Sequence, residues 1–206
     1  MPVDGRLLRG DATRRAVLER AADVASIEGL EGLSIGRLAT DLELSKSGVF
    51  ALFGSKEELQ LAAVRFASDV FAGNVTRPTL EVEPGIARLR VLCENWLDYS
   101  ERRIFPGGCF FFNVGAEFDA QPGRIHDAIA KAGQAFSAFI ARTAQEAKDA
   151  GELKLDADVA LLAFELHALG RAANADSVMY GDLEPYRLAR ACMRNRVDEA
   201  AGHGVG

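Results

Sequence analysis

The chain has 206 residues, 49% of them hydrophobic and 26% charged, with a formal net charge of −6. That balance belongs to a globular protein. No apolar run nears the ~20 residues of a membrane span, and the opening "MPVDGRLLRGDATRR" lacks the apolar centre of a secretory signal, so the sequence reads as cytoplasmic with no membrane partner. Three dispersed cysteines, Cys93, Cys109 and Cys192, fit no disulfide framework and read as small apolar groups. The acidic balance works against indiscriminate binding of polyanions, yet residues 1–20 carry a net +2 and the remainder −8. A small basic contact region on an acidic body suits specific binding, because the body is repelled from random phosphate.

In chain order, a first helix is expected from about Thr13 to Glu28, with Val17, Leu18, Ala21, Ala22, Val24 and Ala25 at helical spacing and Gly29 as its stop. Residues 1–12 precede it as an arm, read first as a disordered tail and alternatively as a minor-groove contact through Arg6 or Arg9. Ser34 reads as the N-cap of a short second helix and Ser45 as that of a third. Ser55, with Glu58 three residues on, is a capping box opening a fourth that runs to about Phe71. Gly73, Pro78, Pro84 and Gly85 break it.

A fifth helix covers 86–103, around Leu89, Leu92, Cys93, Trp96 and Leu97. Gly107 and Gly108 open a short, very apolar helix, and Pro122 and Gly123 break again. From 124 to 150, Ile125, Ile129, Ala132, Phe136, Phe139 and Thr143 step by four and three along one amphipathic helix. Asp156 or Asp158 begins "DVALLAFELHALGRAANA", and a last helix covers about 184–199. No stretch shows the period-2 alternation of a strand. The fold class is therefore all-α, about nine helices. An N-terminal tri-helical helix-turn-helix domain over 1–60 precedes a helical domain over 61–206.

Helices of about eight residues at 35–42 and 46–53, joined by a short turn, have the dimensions of a helix-turn-helix, whose second helix enters the major groove. On a helical wheel Val49, Leu52 and Phe53 share one quadrant and face the first helices, which puts Lys46, Ser47, Phe50 and Ala51 outside. Lys46 reaches a phosphate or a guanine, Ser47 a base edge, and Phe50 and Ala51 a thymine methyl, while Gly48 permits close backbone approach. The N-termini at Ser34 and Ser45 present N–H groups to phosphate.

Residues 17–60, "VLERAADVASIEGLEGLSIGRLATDLELSKSGVFALFGSKEELQ", resemble the DNA-binding domain of the TetR/AcrR family of one-component transcriptional regulators. The likeness lies in Gly29, Ser34 before Ile35, Leu38-Ala39, Ser45-Lys46, an aromatic at 50, Phe53 and Ser55-Lys56-Glu57-Glu58-Leu59. The chain departs from the family at Glu43, where glycine is usual, at Phe50, where tyrosine is usual, and at Leu52. The expected DNA-contacting set is Ser34, Arg37, Ser45, Lys46, Ser47, Gly48, Phe50, Ala51 and Lys56.

The resemblance implies that the remainder binds an effector and dimerises, with double-stranded operator DNA, a small-molecule effector and a second copy of the chain as partners. The aromatic "GGCFFFNVGAEF" is the candidate for an apolar cavity, with Trp96, Cys109, Phe110, Phe112, Asn113, Glu117 and His167 as its lining. An equally direct reading makes its phenylalanines core. The helix containing "DVALLAFELHALGRAANA" is apolar through Val159, Leu162, Ala163, Leu166, Leu169 and Ala173, and again through Leu161, Phe164 and Ala168. From it and the last helix, Leu162, Leu166, Leu169, Ala173, Leu188 and Cys192 are the expected dimer interface.

The functional expectation is a homodimeric repressor released from a palindromic operator by a small, mostly apolar effector. An all-helical enzyme and a helical protein-interaction dimer are the competing classes. Against the enzyme, the sequence offers no nucleophile with a base, no HExxH, no phosphate loop and no metal-ligand spacing among His126, His167 and His203, so no metal or cofactor is expected.

Overall fold

The computed structural model describes the backbone of residues 5–201 and the side chains from residue 10 onward. Ten α-helices occur among these residues: α1 (Gly5–Glu28), α2 (Ile35–Asp41), α3 (Lys46–Phe53), α4 (Lys56–Phe71), α5 (Arg77–Leu80), α6 (Ile86–Glu101), α7 (Phe110–Phe118), α8 (Arg124–Asp149), α9 (Val159–Tyr180) and α10 (Glu184–Ala201). No strand occurs among them, so the architecture is all-α as the sequence implies.

Two expectations change. Helix α1 begins at Gly5, so residues 5–12, read as an arm, extend the first helix. The side chains of Arg6 and Arg9 lie outside the described residues. The break expected from Gly73 is delayed, because α4 continues through a π-helical turn, Ala72–Thr76, directly into α5. Arg77 N–H donates to Ala72 O across the widened turn, and Pro78, which has no N–H to add to the ladder, follows directly in α5. Asn74 Nδ2 donates to Val70 O and Thr79 Oγ1 to Val75 O, adding side-chain bonds to the carbonyls of the altered ladder.

The chain divides into two compact units. The first holds residues up to 69 together with 105–130. Its centre is a tri-helical packing of α1, α2 and α3 in which Val17, Ala21, Leu30, Leu38, Val49 and Phe53 are buried. Segment 105–130, read from the sequence as part of the second domain, is docked on α1. Gly107 N–H donates to Ser26 Oγ, and Asn113 Nδ2 donates to the carbonyls of Ala25 and Ser26 at the end of α1. Glu117, one turn along α7, accepts from the Leu30 and Glu31 N–H groups at 2.6 and 2.7 Å. Helix α7 therefore satisfies both kinds of orphan backbone group at the α1–α2 corner. Gly29 makes this possible: its φ is +80°, and a Cβ there would run into the Glu117 carboxylate.

The second unit holds 70–104 and 131–206, with α9 packed on α10 and α6 on both. Leu89, Leu92, Leu97, Leu166, Tyr186 and Met193 form its centre. Asn174 and Ser177 of α9 are buried too. Arg103, held at φ 51°, donates to Ser177 Oγ and to Tyr186 OH, and Tyr186 OH donates to Asn174 Oδ1. That network gives the buried polar groups partners. Arg88 ties α6 to α8 through Glu146 at 2.7 Å. No helix among the described residues is long and apolar enough to cross a membrane.

Candidate nucleic-acid interface and effector site

Local chemistry builds the α2–α3 pair. Ser34 Oγ accepts from Arg37 N–H and Ser45 Oγ from Gly48 N–H, so both serines are N-caps as their positions imply. Between the helices, Leu44 N–H donates to Ala39 O and Glu43 N–H to Thr40 O. This is a Schellman closure, with Glu43 in the left-handed position at φ 56°. A glutamate there carries the steric cost that glycine avoids. Glu43→Gly is expected to stabilise the protein by about 1 kcal/mol, seen as a melting temperature roughly 2–4 °C higher; an unchanged or lower one would contradict it.

Val49 and Phe53 of α3 are buried and Leu52 is half-buried, while Lys46, Ser47, Gly48, Phe50 and Ala51 are exposed. Phe50 is 52% exposed, a large ring left in solvent on the outer face. Lys46 makes no side-chain hydrogen bond or ion pair among the described residues. Gly48 has a steric duty: a Cβ there would lie 2.9 Å from the Ser45 hydroxyl and crowd the cap.

Two residues expected to contact DNA are occupied elsewhere. Arg37 is held in a two-pronged pair by Glu28 of α1, a hydrogen bond that raises the guanidinium pKa and lowers that of the carboxyl. Lys56 Nζ donates to Glu31 O and pairs with the Glu31 carboxylate, closing the α1–α2 corner. Arg20 is similarly paired with Asp41. The capping box at Ser55 is half-formed. Ser55 Oγ accepts from Glu58 N–H, but the Glu58 carboxylate turns to Arg124, which also pairs with Glu57.

The residues expected to line an effector cavity fall in different units. Cys109, Phe110, Phe112, Asn113 and Glu117 belong to the first. Phe110 is fully buried there, and Asn113 and Glu117 are the α1 clamps already described. Their polar groups are spent on backbone, which is why they stand among phenylalanines. Trp96 and His167 belong to the second unit and do meet, their rings stacked at 5.6 Å and 22°. Phe136 of α8 packs edge-on against Trp96 at 4.9 Å and against Phe71 at 4.8 Å, and Phe71 packs on Tyr99 at 5.2 Å. The sequence reading nominated Phe136, Phe71 and Tyr99 for no site. The Trp96 ring lies against Gly170, where a Cβ would come within 2.3 Å of a ring carbon.

His167 carries a lowered pKa, chiefly because burial disfavours its cation and secondarily because Arg171 is near. A folded-state pKa below the unfolded ~6.5 gives stability that is complete above ~6.5 and lost as pH falls through the folded value. His167→Gln is expected to flatten that part of the melting temperature's decline between pH of about 7.5 and 5. Parallel profiles for both proteins would count against it.

A separate groove of about 450 Å³ runs between α6 and α10, floored by Cys93, Leu97, Met193 and Val197. Its edges are self-paired, Arg90 with Asp198 and Arg190 with Glu94, Asp98 and Glu101. Burial pushes the Cys93 thiol up to about 12, so it is a packing group.

The expected dimer residues also divide. Leu162, Leu166 and Ala173 are buried within the second unit, and Leu169 is half-buried. Helix α9 packs on α6 and α10 of its own chain, which is where Leu162, Leu166 and Ala173 lose their exposure. The open side of α9 is its other stripe, Leu161, Phe164, Ala168, Ala172 and Met179, and Leu188 and Cys192 of α10 are exposed as well.

An all-helical protein with a capped, outward-facing α3 set on two supporting helices has the architecture of a transcriptional regulator. Residues 85–193, more than half the chain, match the family model described as tetracyclin repressor-like, C-terminal domain. The chain belongs to the TetR family of transcriptional regulators. Among solved structures it is similar to a TetR transcriptional regulator from Chloroflexus aurantiacus, 23% identical over 90% of this chain and 93% of that one, with a TM-score of 0.79. It is likewise similar to a putative transcriptional regulator from Saccharomonospora viridis in complex with choline, at 21% identity, 91% and 96% coverage and a TM-score of 0.73. A third is AibR in complex with isovaleryl coenzyme A and operator DNA, at 20% identity, 91% and 97% coverage and a TM-score of 0.69. At these identities the likeness is one of fold. No curated protein sequence matches the chain.

Proposed function

We propose that this protein is a homodimeric repressor that binds a palindromic operator through α3 and is released by a small, mostly apolar effector. The observation carrying the reading is the outer face of α3: Lys46, Ser47, Phe50 and Ala51 are exposed on a helix whose opposite face is buried and whose N-terminus is capped. The decisive experiment is selection of bound duplexes from random DNA. A recovered palindrome is the expected outcome; an unenriched pool would remove DNA binding from the account.

Lys46 supplies the charge of the reading helix, while Arg20, Arg37 and Lys56 are held in ion pairs. Lys46→Ala is expected to weaken binding across all sequences and to reduce the slope of log K against log salt by about one per half-site. An unchanged slope would place Lys46 away from phosphate.

The effector site is proposed at the aromatic cluster of the second unit, around Trp96, Phe136 and His167, with neutral His167 as its polar group. The similar proteins bound to choline and to isovaleryl coenzyme A support small-molecule control in general. Phe71 ends α4 in this cluster, and Glu57 and Glu58 begin the same helix beside Arg124. Effector binding shifts the population toward a form in which α4 no longer holds the half-site spacing of ~34 Å that successive major grooves require. Operator affinity that stays constant across a broad apolar ligand panel would overturn the sensor reading.

A further inference from the structure

We infer that sequence reading by this protein is carried by thymine methyl groups packed against Phe50 and Ala51, which makes its operator recognition dependent on the 5-methyl group itself. The inference rests on the proposed DNA-binding role of α3 and specifies its chemistry. Along α3, Lys46 and Phe50 lie on one ridge and Ser47 and Ala51 on the next, each pair four residues apart. Each ridge is polar at its N-terminal end and apolar at its C-terminal end. All four side chains are exposed, and Phe50 presents half its surface to solvent.

Four other cations of the first unit, among the described residues, are engaged within it. Glu28 holds Arg37, Asp41 holds Arg20, Glu31 holds Lys56, and the Arg14 guanidinium sits 4.7 Å above the Phe53 ring. What α3 can set against base edges is one ammonium, one hydroxyl, and an apolar pair. A phenylalanine side chain forms no conventional hydrogen bond with a base. The base-edge group that rewards apolar contact in the major groove is the methyl of thymine, and alanine and phenylalanine are both side chains that make it. The methyl is absent from cytosine and from uracil, so the pair discriminates by shape and by the water it displaces.

Deoxyuridine in place of thymidine removes this methyl and leaves every hydrogen bond and phosphate charge in position. The full-length protein is titrated against its selected operator and against duplexes with deoxyuridine at each half-site thymine. Losing the buried methyl is expected to lower affinity about fourfold per half-site and about fifteenfold for both. In Phe50→Ala, whose fold is checked by its melting temperature, the deoxyuridine penalty is expected to shrink to less than about twofold, because the two changes remove the same contact. Equal affinity of the native protein for thymine and uracil operators would overturn the inference, as would a full penalty persisting in Phe50→Ala. Failure of the native protein to bind any selected duplex would instead overturn DNA binding, and this inference with it.

Discussion

In the proposed homodimer, Phe164→Glu is expected to leave a folded protein that stays monomeric at concentrations where the native chain pairs. Phe164 is 71% exposed near the N-terminal end of the open α9 stripe, with Leu161 51% and Met179 76% exposed along the same side. In a two-fold interface the residue occurs twice. Losing the burial of two phenylalanines removes about 3–6 kcal/mol, and two introduced carboxylates would have to be buried unpaired or leave the contact open. Dimer association should therefore weaken by roughly 10²- to 10⁴-fold in affinity, which sedimentation equilibrium measures directly. Operator affinity should fall with it, since a monomer presents one reading helix to one half-site. Leu155→Glu is the control: Leu155 is 95% exposed but lies in the loop before α9, so its substitution should leave the dimer unchanged. A Phe164→Glu protein that remains dimeric would place the interface elsewhere. Leu162→Glu and Leu166→Glu, on the opposite stripe, should lose folded protein altogether, because those side chains are 2% and 1% exposed within their own unit.

That contrast shows where sequence reading succeeds and where it stops. The α2–α3 pair is legible because its determinants are local. Ser34 and Ser45 cap helices that begin at the next residue, and the turn at Glu43 closes through Glu43 N–H to Thr40 O, three residues back, and Leu44 N–H to Ala39 O, five back. The orientation of Phe50 and Phe53 follows from helical geometry once Val49 is known to face inward. Helix α9 is different, because two of its faces are apolar and no local rule says which one meets its own chain. The choice is made by residues that hydrophobic counting discards. Gly170 leaves room for the Trp96 ring, and Asn174 and Ser177 are buried because Tyr186 and Arg103 bond them. These put the stripe of Leu162, Leu166 and Ala173 inside and leave Phe164 outside. Asn113 and Glu117 fail to reveal themselves for a related reason. A polar residue in an aromatic run suggests a ligand contact, but its partner can equally be a distant helix end, and the end of α1 lies some 87 residues away along the chain.

The docking of α7 on that helix end also gives the largest expected effect of any single methyl group in the first unit. A Cβ on Gly107 would sit at bonding rather than van der Waals range of the Ser26 carbonyl oxygen, and that oxygen belongs to the backbone of α1, which cannot rotate away. Gly107→Ala must therefore push the 105–109 turn off α1. The hydrogen bond from Gly107 N–H to Ser26 Oγ is then lost, and those from Asn113 Nδ2 to Ala25 O and Ser26 O are stretched. Overpacking of this kind costs about 1–3 kcal/mol and each lost bond about 1 kcal/mol, so a total near 3 kcal/mol is expected, or a fall of roughly 6–12 °C in melting temperature. Gly115→Ala, within α7, has the opposite sign. Nothing lies within 4 Å of a Cβ there, and the residue is interior to α7. Its replacement should raise stability by about 0.5–1 kcal/mol through helix propensity alone. Two glycine-to-alanine changes eight residues apart would thus separate close approach from conformational freedom. If both raised the melting temperature, α7 would not be clamped to α1 in solution, and the carboxylate of Glu117 would be free of the α1–α2 corner it holds here.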